Sequence, residues 1–197
     1  VVSMRDRPFP VPATGEVGYQ YFMVDPQLDR DVWMRGVEIV PGNRAVVHHI
    51  LIFVKDPADT GRDLMGERGF LAGYVPGTRA AFLPEGHAKR IPRGHQLVFQ
   101  VHYTPIGTPQ EDLSRVGLWF ADPATVTHEV RTTSALEHGF RIPPRAPDHR
   151  VTAVLPEDLP ACDLLGMSPH MHLRGKSFRY TAVYPDGRRE ILLDVPR

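Results

Sequence analysis

Three groups of histidines could bring imidazole chemistry together: the pair His48-His49, the single His102, and His170-Met171-His172. Alternate residues of an extended chain share a face, so His170 and His172 project to the same side with Cα atoms roughly 6.5–7 Å apart. Two imidazoles at that spacing can chelate one ion. Pro169 argues against a helix and precedes the pair, where a strand tolerates it. Standing alone, a His-x-His is more readily two surface histidines in a loop; the histidines upstream raise its weight. The adjacent pair poses the opposite problem. Neighbours in a regular strand point to opposite faces, so one of His48 and His49 would enter the core and the other would face away. Both reach one ion only if the strand bulges or bends, or if the two rings use different nitrogens. His102 alone reads as a hydrogen-bonded structural histidine, and beside His48 and His49 it would complete a three-histidine site.

The donor set limits the chemistry. No cysteine cluster competes, and no Asp or Glu stands beside either group as a ligand. Imidazole-only sites suit copper or zinc, and a thioether partner would tilt the choice to Cu(I). A cupin-like site is disfavoured, because Leu173-Arg174-Gly175-Lys176-Ser177 follows His172 with no carboxylate. A serine or cysteine hydrolase lacks support: there is no Gly-x-Ser-x-Gly, and Cys162, the single cysteine, has no partner identifiable in the sequence. Two separated histidine sites are the better reading.

Strands must position these residues. Twenty prolines and seventeen glycines, scattered through 197 residues, suggest many short strands joined by turns. Tyr19–Val24 and Val32–Val40 read as strands, the second turned by Pro41-Gly42-Asn43. Ala45–Val54 is apolar on both faces, as a central sandwich strand would be. His95–Thr104 alternates, with Leu97, Phe99, Val101 and Tyr103 on one face and Val98, Gln100 and His102 on the other. Arg115–Phe120 is a further strand. Residues 56–90 read as ordered loops, His87 as a surface or loop residue, and Arg7–Pro12 as an extended arm without a packing pattern. In the second half, Ala135–Ile142 and Val151–Leu155 read as strands, and Ser177–Tyr184 with Glu190–Val195 as a hairpin across Pro185-Asp186-Gly187-Arg188. The expectation is an all-β chain of two tandem antiparallel sandwiches. Residues 1–122 would carry the three-histidine site, and residues 123–197 the His-x-His in an incomplete second sandwich.

Composition excludes some partners. Equal numbers of acidic and basic residues, 23 each, and the lack of a basic block argue against nucleic acid. No apolar run approaches the ~18 residues of a membrane span. One cysteine permits no intrachain disulfide, which fits a reducing compartment without excluding secretion. The chain opens on Val1 with no visible signal peptide, as a processed or excised piece would.

Taken together, Val47-His48-His49-Ile50-Leu51-Ile52-Phe53, Leu97-Val98-Phe99-Gln100-Val101-His102-Tyr103 and His170-Met171-His172 with Gly175-Lys176 resemble the copper type II, ascorbate-dependent monooxygenases. That family includes peptidylglycine alpha-hydroxylating and dopamine beta-monooxygenases. The likeness runs from about residue 19 to 195, in the same order and domain placement. It implies that His48, His49 and His102 hold an electron-transfer copper, and that His170 and His172 hold the catalytic copper at which oxygen is activated. It implies ascorbate or another reductant as co-substrate, O2, a small-molecule substrate hydroxylated at a C–H bond, and an extracytoplasmic location.

The chain also departs from the family. The second copper of the family takes a methionine from a later strand, and none of Met4, Met23, Met34, Met65, Met167 and Met171 occupies that place. The missing ligand is therefore expected beyond Arg197. The absence of disulfides points to a bacterial-type relative. In the peptide-amidating branch an arginine two residues before the first histidine of the His-x-His grips the substrate carboxylate, and here that position is Ser168. Two rival readings are a non-catalytic copper-binding or interaction module and a zinc-site β-sandwich hydrolase.

Overall fold

The computed structural model describes residues 1–59, 69–137, 139–155, 159–171 and 174–196. Its strands are β1 (Val2–Ser3), β2 (Phe9–Val11), β3 (Gln20–Val24), β4 (Val32–Val40), β5 (Val47–Lys55), β6 (Phe70–Tyr74), β7 (Ala81–Phe82), β8 (His87–Ile91), β9 (Gln96–Tyr103), β10 (Gln110–Asp112), β11 (Arg115–Ala121), β12 (His128–Glu129), β13 (Phe178–Val183) and β14 (Arg189–Val195). The only helical element among the described residues is a 3-10 turn, Pro123–Thr125, capped by the Asp122 side chain. No helix among them is long and apolar enough to cross a membrane. The chain is all-β, and it divides into two compact units, Val1–Gly139 and Phe140–Arg197.

The first unit is a sandwich. One sheet runs β1-β11-β4-β8-β12, with β7 also paired to β4; the other runs β3-β9-β5-β6. Alternation explains the packing. Leu97, Phe99, Val101 and Tyr103 of β9 and Ile50 and Ile52 of β5 enter one core with Met34 and Ile39 of β4, Ile91 of β8 and Val116 of β11. β5 lies between β9 and β6, as its two apolar faces require. Where a division at 122/123 was expected, residues past Asp122 stay with this unit. β12 pairs in parallel with β8, His128 opposite His87, and the units divide at Gly139/Phe140.

Two sequence expectations for this unit change, and one for the second. The N-terminal arm is packed: β2 pairs with β10, Val11 and Met4 are buried, and the Phe9 ring stacks on Tyr103 at 5.2 Å. Its prolines hid the pairing, yet a two-stranded ribbon accepts Pro at an unpaired N–H. Residues 70–74, 81–82 and 87–91, read as loops, are β6, β7 and β8. Each is short, and glycine in β6 or charge in β8 breaks the alternation, so the ladder and not local propensity decides it. In the second unit, Ala135–Ile142 (across the boundary) and Val151–Leu155 form no strand among the described residues, and Leu136, Val151 and Val154 are exposed. An apolar run becomes a strand only with a partner for its backbone groups. The expected hairpin is present: β13 pairs with β14, Phe178 opposite Val195, and the described residues of this unit show no other ladder.

One buried carboxyl group fastens the sandwich end that matters for the site. Asp112, 1% exposed, accepts from the Tyr103 hydroxyl at 2.9 Å, the Ser114 hydroxyl at 2.8 Å and the Asn43 backbone N–H at 2.8 Å. It thereby ties the end of β9 to the turn that leads into β5. The turn approaches closely: a Cβ on Gly42 would sit 2.5–2.7 Å from the Leu113 backbone, so only glycine fits.

Two outcomes are expected. Tyr103→Phe should cost about 1–3 kcal/mol, the usual loss of a buried hydrogen bond to a carboxylate, read by chemical denaturation. Burial, and then the Asp112 charge and hydrogen bond, push the Tyr103 phenol above its ordinary value of 10. A raised folded value means the contribution is whole below about pH 10, where the unfolded tyrosine titrates, and is lost as pH rises beyond it. The alkaline fall in stability should therefore shrink in Tyr103→Phe; an unchanged alkaline limb would place its cause elsewhere.

Candidate metal centre

β5 and β9 bring the first histidine set together through an irregularity in their pairing. Val47 lies opposite Tyr103 and His49 opposite His102, so His48 is an extra residue in the ladder, a β-bulge. Without it His48 and His49 would lie on opposite faces. Of the two possibilities left open by the sequence, the chain uses the bulge. Val47 and Ile50 on either side still enter the core, and Thr104 N–H donates to the Val46 carbonyl at 2.8 Å to close the ladder beyond the bulge.

The three rings form a near-equilateral cluster on the outer face of the four-stranded sheet. Their centroids are 5.3 Å (His48–His49), 5.0 Å (His48–His102) and 5.2 Å (His49–His102) apart, at interplanar angles of 62–68°. One ligand nitrogen from each lies within 4.8 Å of the other two. The Nδ1 atoms of His48 and His49 are 3.1 Å apart. Two nitrogens sharing one ion at about 2.0–2.1 Å stand roughly 2.9–3.4 Å apart, so this pair is already at chelating distance. His48 is exposed, while His49 and His102 are half-buried.

His102 supplies the test of fit. Its Nδ1 is buried and has no hydrogen-bond partner among the described residues. A buried nitrogen of that kind costs free energy unless something binds it, and a metal ion does so. Burial pushes the His102 pKa down, the neighbouring His48 acts in the same direction, and the Glu16 carboxylate opposes them. A lowered value keeps the ring neutral, the form that ligates. Glu16 acts only at a distance, and the cluster itself contains no carboxylate. The residues present therefore fit a borderline or soft ion that prefers imidazole.

No protein-family model and no curated protein matches the chain. The site stands on its geometry.

The second histidine set is placed only in part. His170 lies exposed on a segment before β13 that carries no strand, and His172 lies outside the described residues. The segment is held to the hairpin by the Tyr180 hydroxyl, which donates to the Ser168 carbonyl at 3.1 Å. Met171 is exposed. What the sequence reading missed is Tyr19, whose ring lies 5.0 Å from His102 and 5.7 Å from His49 and covers one side of the cluster. No local pattern signals it: β3 pairs with β9, Gln20 opposite Val101, and that register places Tyr19 next to His102.

In metal-free protein His102→Leu removes an unpartnered buried nitrogen. Its stability should stay level or rise, by up to about 1–3 kcal/mol. The same variant should show a smaller upward shift in Tm on added copper than the parent, because an ion bound to the native state at this site contributes to that shift. Thermal unfolding with chelator and with copper reads both. A large loss of stability in the chelated variant would show His102 to be a packing residue.

Proposed function

We propose that this chain is a copper protein that uses O2 and an external reductant such as ascorbate to hydroxylate a C–H bond of a small molecule. The observation that carries the reading is the convergence of His48, His49 and His102, through the β5 bulge, into a carboxylate-free set with an orphaned Nδ1. The resemblance of all three histidine segments to the copper type II, ascorbate-dependent monooxygenases supplies the rest. His48, His49 and His102 would hold one copper and His170 and His172 another; the bound metal supplies one-electron chemistry and, at the second set, oxygen activation.

The chain's own residues do the positioning. The bulge aims three imidazoles at one point, and the Asp112 network holds the strand ends that set their separation. Tyr19 shields the His49 and His102 rings on one side. The burial that lowers the His102 pKa keeps a lone pair available without a proton to displace. The rival reading, a non-catalytic copper-binding module, needs the first site alone, and that is the set brought together among the described residues.

Copper titration and oxygen-electrode assays of the complete protein separate the two. Two coppers per chain and reductant-dependent O2 consumption are expected, with His102→Ala removing one copper and leaving the other, since independent sites lose their ions independently. Copper binding without O2 consumption would leave the binding module, and bound zinc without redox activity would leave the hydrolase.

Substrate preference follows from Ser168. A hydroxyl donates one neutral hydrogen bond where guanidinium offers a charged fork. Against a terminal carboxylate the difference is on the order of 1.5–3 kcal/mol, roughly ten- to a hundred-fold in affinity. Glycine-extended peptides should be poor substrates, with little distinction between free acid and methyl ester. A strong preference for the free acid would mean that another cation supplies the grip.

A further inference from the structure

A cavity of about 210 Å³ opens between the two sheets of the first unit. It is bounded by β6, an edge strand of one sheet, and by β4, β7 and β8 of the other. Met34, Ile39, Leu71 and Ala72 form its inner wall, and all four are buried members of the sandwich core.

Local backbone features keep the space open. Phe82 is the one large side chain of β7 and lies opposite Gly36 in the β4–β7 ladder. A Cβ on Gly36 would collide with the Phe82 ring, so glycine lets that ring lie against β4, where it lines the cavity without filling it. The Trp119 ring backs Phe82 at 5.2 Å, and Leu83 N–H donates to the Arg35 carbonyl at 2.8 Å. The approach to β7 is set by a turn at Val75-Pro76-Gly77-Thr78, closed by Thr78 N–H to the Val75 carbonyl at 2.9 Å. Gly77 has φ +97°, as the third residue of a type II turn requires, with Pro76 before it. The Thr78 hydroxyl accepts the Val75 N–H at 3.1 Å, and Arg79 follows at the mouth of the cavity.

Every ionisable side chain that lines the cavity is a cation: Arg35, Arg79 and Lys89. Arg35 and Arg79 are exposed, and neither is in an ion pair among the described residues. The Arg35 guanidinium lies over the Phe82 ring, 5.6 Å from its centroid. A guanidinium in that position keeps N–H groups available to an anion. Lys89 is committed elsewhere: its Nζ donates to the Phe70 and Leu71 carbonyls at 3.0 and 3.1 Å and to the Thr132 hydroxyl at 2.8 Å. These acceptors are neutral, and burial lowers the Lys89 pKa to about 8. A desolvated ammonium thus stands in the wall without a carboxylate among the described residues to balance it.

We infer that this cavity binds a small apolar monocarboxylate, with its hydrocarbon body against the core wall and its carboxylate held by Arg35 and Arg79 at the mouth. Charge and size choose the class. Guanidinium forks match a carboxylate, and the apolar wall gives a bare inorganic anion nothing to cover. An apolar cavity of about 150 Å³ takes a benzene ring, so about 210 Å³ suits one ring on a short linker and excludes a long acyl chain. None of the lining residues belongs to the histidine sets, so binding here is independent of copper.

Phenylacetate is the probe, added to the complete protein with chelator present to keep metal sites empty, and followed by side-chain methyl signals in NMR. The methyls of Met34, Ile39, Leu71 and Ala72 should shift and saturate at one ligand per chain. Phenylethanol, which keeps the ring and loses the charge, should bind about ten-fold or more weakly, and inorganic phosphate should leave these methyls in place. Arg35→Gln and Arg79→Gln, both at exposed positions, should each weaken phenylacetate about three- to ten-fold with Tm unchanged. No saturable shift in the parent protein would overturn the site. Phenylethanol binding as tightly as phenylacetate would overturn the carboxylate, and unchanged affinity in either arginine variant would overturn the two-guanidinium grip.

Discussion

The buried carboxyl of Asp112 is the constraint on which the histidine geometry rests. It is buried beside a largely apolar core, a placement that is costly unless its oxygens are satisfied. They are: Oδ2 receives two hydroxyls, from Tyr103 and Ser114, and Oδ1 receives the Asn43 N–H. Those donors come from the end of β9, the strand start after β10 and the turn before β5. Meeting all three at once places the Asn43 turn against the β9 end. The Asn43 carbonyl then accepts from Val46 and Val47, at 3.4 and 3.1 Å, which takes up the chain immediately before His48. The register shift at His48 is the remaining slack in a strand held at Val47 and re-entering the core at Ile50.

A bulge held in this way changes what a sheet can present. A regular antiparallel pair offers one cross-strand pair of side chains at each rung, here His49 and His102. The inserted residue adds a third side chain to the same face without moving the strand's apolar residues out of the core. The outer face also supplies a partly dry setting. Gln100, on the same face of β9 as His102, is buried and donates to the Tyr21 hydroxyl at 3.0 Å, while Tyr19 covers the His49 and His102 rings. Desolvation without a partner costs stability in the free protein, and it is what keeps an imidazole neutral and ready to ligate.

How far the sequence showed this depended on the length of the pattern. β4 was readable to its end residues and β5 and β9 to within two residues, because eight or more residues of alternating or doubly apolar pattern outweigh local noise. β6, β7 and β8 are two to five residues long and stand as strands only because β4 and β5 offer them a ladder. The packed β2 ribbon was hidden behind prolines for the same reason. The histidines were legible by type and spacing, and a bulge was one of the routes to a shared point that strand geometry left open. What no local pattern carried was the Asp112 network, since its partners lie 69 residues apart in one bond and 9 in another. Register between distant strands is a tertiary fact, and Tyr19 and the His87–His128 pair were hidden by it alike.

The two histidine groups of the sandwich show how register sets the number of rings brought together. At His87 and His128 a parallel ladder in simple register places two rings at strand spacing, and no extra residue enters. At His49 and His102 an antiparallel ladder does the same, and the bulge at His48 adds the third ring. The stacked pair, with planes within 10° of each other, runs its in-plane lone pairs parallel, so they do not converge on one ion, whereas the three tilted rings bring one nitrogen each within 4.8 Å of the others. One extra residue in β5 therefore separates a pair of rings from a cluster of three. The position of that residue is fixed from behind, by a carboxyl group that touches none of the rings.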